Sequence, residues 1–305
     1  MAIQTGGSTV GVSRLAYLGV NATDLPAWRR FGTEVLGFEV GSDGRDRLLY
    51  LRGDERHHRL SIHAGDSDDV SYVGWELANH EALEATAAVV ESHGVEVQAG
   101  KPDELADRRV LELAHFVCPQ TGVRMELTVG NETQLYPRFT PTRPLSGFLM
   151  GELGLGHVVL FCPDVQAAAR FYVRALGFGI SDYVVAPEGA PVGAFLHCNP
   201  RHHSLAFFSA RMSPRKLQHL MIETLSIDDV GTSYDLCLER RITKSSLGRH
   251  PDDRGLSFYF RNPSRWLFEY GWQLRSIDPA NFTSERYVMG AGNGWGHAGL
   301  FAAEE

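Results

Sequence analysis

Two histidines and one glutamate define the chemistry open to this chain. His157 stands in Leu155-Gly156-His157-Val158-Val159-Leu160, His219 in Leu217-Gln218-His219-Leu220-Met221-Ile222, and Glu269 in Trp266-Leu267-Phe268-Glu269-Tyr270. They lie 62 residues (219−157) and 50 residues (269−219) apart. Each stretch is a short apolar run between turn signals, which is the pattern of a buried β-strand. Two imidazoles and a carboxylate bind one face of a borderline ion such as Fe(II) and leave three positions open. With one anionic ligand the centre keeps a net positive charge and attracts an anionic chelating substrate. Ligands on three separate strands are held rigidly enough for redox work. The plainer alternative is that each His is an ordinary core or surface residue and that Glu269 faces outward, since strand faces alternate. Turned inward among Trp266, Leu267 and Phe268, the glutamate needs a partner or a metal, because a bare buried charge is costly.

The elements that must position these residues occur twice. Leu15 to Phe38 runs beside Leu155 to Phe178 at an offset of 140, with Asp24 over Asp164, Phe31 over Phe171, and Leu36-Gly37-Phe38 over Leu176-Gly177-Phe178. Each Asp is a good helix N-cap, since a carboxylate accepts the orphan amides of the first turn. Apolar residues then follow helical spacing, and Gly37 and Gly177 fall where a helix end wants a residue tolerant of positive φ. Arg56-His57-His58 and Arg201-His202-His203 match at an offset of 145. Shared caps, helix faces, turns and strand motifs in one order are an internal repeat.

Each half repeats again. Val73–Leu77 reads as a strand, Asn79 caps a helix to about Ser92, and Val95-Glu96-Val97 resumes extended structure. In the second half Leu217–Glu223 is a strand, Ser226 caps a helix to about Arg240, and Leu256–Tyr259 is a strand. Four βαβββ units, paired into two domains, give an α+β fold rather than a doubly wound parallel sheet. Three prolines between Tyr136 and Pro144 exclude helix and inner strand there. The expected division is an N-terminal domain over 1–135, a Pro-rich linker over 136–150, a catalytic domain over 151–280 and an irregular tail over 281–305. The first half sets Tyr17 opposite His157, about Gly74 opposite His219 and Glu126 opposite Glu269. One carboxylate without imidazoles does not hold iron, so the N-terminal domain is expected to be metal-free, with His58 structural.

Composition narrows the partners. A chain of 305 residues suits two domains, and an apolar fraction of 43% suits a folded core. The net charge of −8, with no basic run, excludes nucleic acid as an expected partner. Four cysteines without CxxC spacing speak against a disulfide framework or a structural zinc site. No apolar run reaches the roughly 18–20 residues of a membrane span, and residues 1–11 lack the apolar core of a signal peptide. The expectation is a soluble, reduced, cytoplasmic protein. Motifs of zinc proteases, esterases and phosphate loops are missing, and Gly290-Ala291-Gly292-Asn293-Gly294 lacks the strand-to-helix setting of a dinucleotide loop.

Gly154 to Tyr183, Phe195-Leu196-His197-Cys198-Asn199, Arg201-His202-His203-Ser204-Leu205-Ala206, Leu247-Gly248-Arg249-His250, Ser257-Phe258-Tyr259 and Glu269-Tyr270-Gly271-Trp272 carry a resemblance. From about Ser13 to Trp295 the chain resembles the type I extradiol ring-cleaving dioxygenases of the vicinal oxygen chelate superfamily, the 2,3-dihydroxybiphenyl 1,2-dioxygenases above all. The resemblance implies cleavage of a catechol ring by O2 beside its hydroxyl pair. It places the family's Fe(II) ligands on His157, His219 and Glu269, its acid–base histidine on His203, and its hydrogen bonds to substrate oxygens on His250 and Tyr259. Its apolar pocket positions fall on Val159 and Phe195. Val159 also shares a strand face with His157 by the two-residue period. On residue type alone, His250 and Tyr259 serve equally as a capped turn and a sheet aromatic, and His197, His202 and His297 read as structural.

The chain departs from the family at Asp252, where Asn is common, and at Pro263-Ser264-Arg265, where the family turn ends in glycine. Asp252 and Arg265 are expected to add charge at the pocket rim, which brings carboxylated or otherwise modified catechols into the substrate range. The same donors accept Mn(II). The resemblance further implies a catechol and O2 as partners and a homo-oligomeric assembly. Two other classes use this scaffold: metal-dependent isomerases or epimerases, and metal-free proteins that bind aromatic ligands. The intact donor trio speaks against the second.

Overall fold

A computed structural model describes residues 11–41, 44–209, 215–288 and 294–300. The first unit contains β1 (Arg14–Ala22), α1 (Leu25–Phe31), β2 (Glu39–Val40), β3 (Leu48–Arg52) and β4 (Leu60–Ala64). The second contains β5 (Val70–Glu76), α2 (His80–Ser92), β6 (Gln98–Ala99), α3 (Pro102–Arg108), β7 (Glu112–Val117) and β8 (Arg124–Val129). The third has β9 (His157–Cys162), α4 (Val165–Leu176), β10 (Gly179–Val185), β11 (Pro191–His197) and β12 (Leu205–Ser209). The fourth has β13 (Leu217–Glu223), α5 (Ile227–Glu239), β14 (Gly248–Arg249), β15 (Leu256–Arg261) and β16 (Leu267–Trp272). Two short strands, β17 (Glu285–Val288) and β18 (Trp295–Gly296), follow.

The units join in pairs. One sheet runs β2-β3-β4-β1-β5-β8-β7-β6, the other β17-β10-β11-β12-β9-β13-β16-β15-β14-β18. At each centre the first strands of two units lie antiparallel, β1 on β5 and β9 on β13. This is the α+β architecture expected from the repeat.

Local chemistry sets the helix ends as the sequence indicates. The carboxylates of Asp24 and Asp164 accept the amides of Ala27 and Ala167 at 2.8 and 2.9 Å. Asn79 and Ser226 cap α2 and α5. Gly37 and Gly177 adopt φ of 77° and 73°, a left-handed region that costs a side-chain-bearing residue about 1–2 kcal/mol. The apolar stripe of α4 (Val165, Ala168, Tyr172, Leu176) is buried.

The halves bury each other's surfaces. Trp28 of α1 is fully buried, lies 5.6 Å from Trp266, and donates its indole N–H to Ser264 at 2.9 Å. Phe31 packs on Phe268 at 5.6 Å, and the Tyr270 hydroxyl donates to the Leu36 carbonyl at 2.6 Å. Reciprocally, Phe171 of α4 packs on Phe116 of β7 at 6.0 Å.

Three expectations change. Val95–Val97 is not a strand; pairing starts at Gln98, where backbone meets β7. The helix α3 follows, opened by Pro102, with Glu104 reaching back to the Lys101 amide at 2.9 Å. The segment after Ile277 is not wholly irregular: β17 pairs with the open edge of β10 and β18 with β14, because those edges offer unpaired backbone groups.

Candidate functional site

Strand register brings the donor trio together. His157 on β9 lies opposite Met221 of β13, Met221 lies opposite Glu269 of β16, and His219 lies opposite Val159. A register shift between Leu217 and His219 turns the His219 ring toward its partners. The two Nε2 atoms are 3.1 Å apart, and Glu269 Oε2 lies 3.2 Å from His219 Nε2 and 3.5 Å from His157 Nε2. All three residues are buried.

For ligand bonds of about 2.1 Å, neighbours on an octahedral face sit about 3.0 Å apart. These three edges come within half an ångström of that, so the trio fits a divalent metal. The electrostatics agree. Burial lowers the His157 imidazole to about 4 and leaves it neutral. Burial alone would raise the Glu269 carboxyl, but hydrogen bonding to both imidazoles outweighs it and holds the group well below the usual range. Neutral imidazole and ionised carboxylate are the forms a metal takes. The Gln218 amide oxygen stands against His219 Nδ1 and orients the ring.

The trio forms one wall of a cavity of about 440 Å³. His203, on the turn before β12, lines it, with its ring 3.9 Å from that of His157 and 4.7 Å from Phe195. Burial keeps the His203 imidazole well below its ordinary pKa, helped by His157. Tyr259 on β15 lies opposite Glu269 and edge-on to His219. Its hydroxyl meets His250 Nε2 at 2.9 Å, and burial, then Glu269, pushes its pKa well above the usual value. His203 thus flanks the trio beside His157, and the Tyr259–His250 pair flanks it beside His219.

Comparison with known proteins agrees with this geometry. Residues 154–270 match the Glyoxalase/Bleomycin resistance protein/Dioxygenase superfamily, and residues 15–65 match Dihydroxybiphenyl dioxygenase BphC D1. A biphenyl-2,3-diol 1,2-dioxygenase of Sphingomonas paucimobilis is 38% identical over 288 residues, covering 93% of this chain and 96% of that one. The chain belongs to the extradiol dioxygenases. An iron-dependent extradiol dioxygenase of Rhodococcus jostii is 37% identical, with 94% and 97% coverage. The crystal structure of a catechol 2,3-dioxygenase superposes with a TM-score of 0.88 at 36% identity, covering 97% of each chain. Among the described residues, no helix is long and apolar enough to cross a membrane.

Around the trio, this extradiol dioxygenase differs in places from the sequence expectation. Phe195 lines the cavity, but Val159 stands behind it, 1% exposed in a small apolar cluster with Phe195 and Ala206. Asp252 lines the cavity as a buried group rather than a rim charge; burial, then Asp253, raises its carboxyl to about 7. Arg265 does not reach the cavity. It is the exposed corner of the Asn262–Arg265 turn, whose Ser264 is tied to Trp28 and Asp68 of the first half. Arg265 holds φ 65° with its amide donating to the Asn262 carbonyl. Arg265→Gly is therefore expected to stabilise the protein by about 0.5–1 kcal/mol in urea unfolding, with ring cleavage unchanged.

His297, taken as structural from sequence, also lines the cavity and stacks on His250 at 4.1 Å. Trp295, Tyr287 and Asp253 join the wall. The tail contributes three of these four, His297, Trp295 and Tyr287.

In the first half of the dioxygenase the equivalent positions are filled from within. Tyr17 and Glu126 take the places of His157 and Glu269, but the counterpart of His219 is Tyr72, not Gly74. Gly19, the counterpart of Val159, lies opposite Tyr72, as Val159 lies opposite His219. A Cβ on Gly19 would strike the Tyr72 ring at 2.1 Å, so glycine makes the space for it. Tyr17 donates to Glu126 at 2.8 Å, and Arg108 grips the same carboxylate at 3.0 and 3.1 Å while its guanidinium lies 3.8 Å above Tyr72. A side-chain cation, the Arg108 guanidinium, thus reaches the carboxylate that corresponds to Glu269.

Proposed function

We propose that this chain cleaves the ring of an aryl-substituted catechol, using Fe(II) held by His157, His219 and Glu269. Convergence of those three donor atoms at one point of a buried cavity is the observation that carries the reading. The ring carbon–carbon bond beside the diol breaks, both oxygen atoms of O2 enter the product, and a hydroxymuconic semialdehyde-type acid results. The substrate supplies the four electrons that O2 takes up. Iron, when bound, supplies a redox-active Lewis acid that draws diol and O2 together. Fe(II) is favoured over Mn(II) because the Rhodococcus jostii relative is iron-dependent.

The chain's own residues do the rest. His203 takes a proton from a substrate hydroxyl at its ring nitrogen and later returns it. The Tyr259 hydroxyl, kept protonated by burial, and His250 hold the second substrate oxygen by hydrogen bonds. Phe195 lies along the ring face, and Val159 fixes Phe195 from behind.

Val184, Phe208 and Trp295 offer apolar surface for an aryl substituent. The buried carboxyls of Asp252 and Asp253 disfavour an anionic one. A biphenyl-type diol is accordingly the preferred substrate, as named for the Sphingomonas paucimobilis relative. This reading also divides the chain as the repeat suggests, into a metal-free domain over 1–135, a linker over 136–150, a catalytic domain over 151–280 and a tail over 281–305, whose β17 and β18 extend the catalytic sheet. It carries a homo-oligomer in the cytoplasm, where the four free cysteines stay reduced.

Anaerobic loading with Fe(II) or Mn(II), followed by oxygen and a diol, tests the reading. One O2 consumed per yellow product is expected with Fe(II), with kcat/KM at least tenfold higher for 2,3-dihydroxybiphenyl than for a carboxylated catechol. His203→Ala should keep its iron and lose about 10²–10⁴ in kcat. Bound iron with no colour from any diol would refute the proposal.

A further inference from the structure

Behind His203, on the side away from the cavity, stands a buried chain of polar groups. His203 Nδ1 lies 3.0 Å from His202 Nδ1, and His202 Nε2 lies 2.9 Å from Asp182 Oδ2. Exposures are 2%, 0% and 0% for His203, His202 and Asp182. The other carboxylate oxygen, Oδ1, accepts the backbone amide of Glu285 on β17 at 2.6 Å. The ring of Phe282, just before β17, covers His202 at 5.8 Å.

The first half has a similar pair, His57 and His58, whose Nδ1 atoms are also 3.0 Å apart. The pairing therefore belongs to the Arg-His-His turn and is not by itself evidence of catalysis. Asp182 seated on β17 is a feature of the second half; among the described residues, the first sheet ends at β2 with no strand outside it.

We propose that Asp182 and His202 are positioning residues that set the tautomer of His203, and that the C-terminal strand β17 locks them in place. The inference rests on the acid–base reading of His203 given above. An ionised carboxylate only accepts hydrogen bonds, so the proton between Asp182 and His202 sits on His202 Nε2. With its single proton on Nε2, the neutral form of His202 presents a lone pair at Nδ1. His203 must place its own proton on Nδ1 to meet it, which leaves His203 Nε2 as the acceptor for a substrate proton. When that proton arrives, the cation is stabilised through His202 by Asp182, the logic of a carboxylate behind a catalytic imidazole.

The Glu285 amide makes the arrangement directional. In Asp182→Asn, the amide oxygen stays on the Glu285 N–H and the NH2 group faces His202 Nε2. His202 then carries its proton on Nδ1, His203 accepts there, and its Nε2–H points outward as a donor. One atom exchanged two residues away reverses the polarity of His203.

The test reads the tautomer directly. In metal-free protein labelled with [15N]histidine, long-range 1H–15N spectra should show His203 protonated at Nδ1 in the native chain and at Nε2 in Asp182→Asn. With iron loaded, Asp182→Asn should bind metal fully, keep KM within about threefold, and lose about 10³-fold in kcat, inside the range of about 10²–10⁴ for a disabled general acid–base group. Asp182→Asn/His203→Ala should be no slower than His203→Ala alone. If Asp182→Asn does not fold, Asp182→Leu/His202→Phe removes both buried partners together and should show the same kcat loss with metal retained.

A His203 tautomer unmoved by Asp182→Asn would overturn the inference and leave the role of His203 intact. Reversal with undiminished turnover would overturn both.

Discussion

His219→Ala is expected to yield a folded protein that retains less than one hundredth of the native iron affinity and no measurable ring cleavage. In the ligation proposed above the side chain removed is one of three donors, and the two that stay, His157 and Glu269, lie 3.5 Å apart. Changes one layer out from a metal commonly cost 10–100-fold in affinity, and loss of a ligand costs more. Iron per chain after anaerobic reconstitution and desalting measures it, with far-ultraviolet dichroism as the check on folding. A competing donor group exists, because His250, Glu269 and His297 also converge within 4.8 Å. If His219→Ala keeps iron while His297→Ala loses it, the metal belongs to that second group and the mechanism above fails.

Arg108→Met should destabilise the protein by about 3 kcal/mol while leaving iron binding and turnover per folded chain unchanged. Removing one partner of a buried ion pair costs roughly 3–5 kcal/mol, because the survivor keeps its desolvation penalty without the compensating contact. Glu126 has no solvent exposure and would keep only Arg124 at 2.8 Å and Tyr17. Arg124 places the cost at the low end of the range. The double replacement Arg108→Met/Glu126→Leu should recover most of the loss, since an apolar pair of similar volume leaves no charge stranded. A single-variant shift below 1 kcal/mol in urea unfolding would show that Arg108 does not play a metal's structural part.

Much of this was legible in the sequence, and the physical reasons for the exceptions are specific. Caps and left-handed glycines are local: Asp24, Asp164, Gly37 and Gly177 each act within five residues of themselves, so sequence displays them directly. The donor trio was legible as candidates because each member interrupts a short apolar strand run, and the structure brings the three donor atoms together. Tyr72 was misplaced because loops between β1 and β5 differ in length from their counterparts, and an offset learned at one strand does not carry to the next. Strands β17 and β18 form by joining edges made over 100 residues earlier or some 50 earlier, and nothing local marks a four- or two-residue strand. Arg265 sits next to a ligand strand in sequence, yet the turn closes on the far side, against Trp28 and Asp68. Nothing local marks Asp182, because both its partners, His202 and Glu285, are distant along the chain.

The contact of Trp28 and Phe31 with Trp266 and Phe268 has a consequence for the duplication itself. The strand bearing Glu269 is braced by a helix of the other copy, whose equivalent interior is filled by Tyr17, Tyr72 and Arg108. Each twin is masonry for the other, so neither can be cut away and leave a finished whole. A lineage of this architecture is free to rewrite the first half's interior, as Arg108 illustrates, but not to discard its bulk.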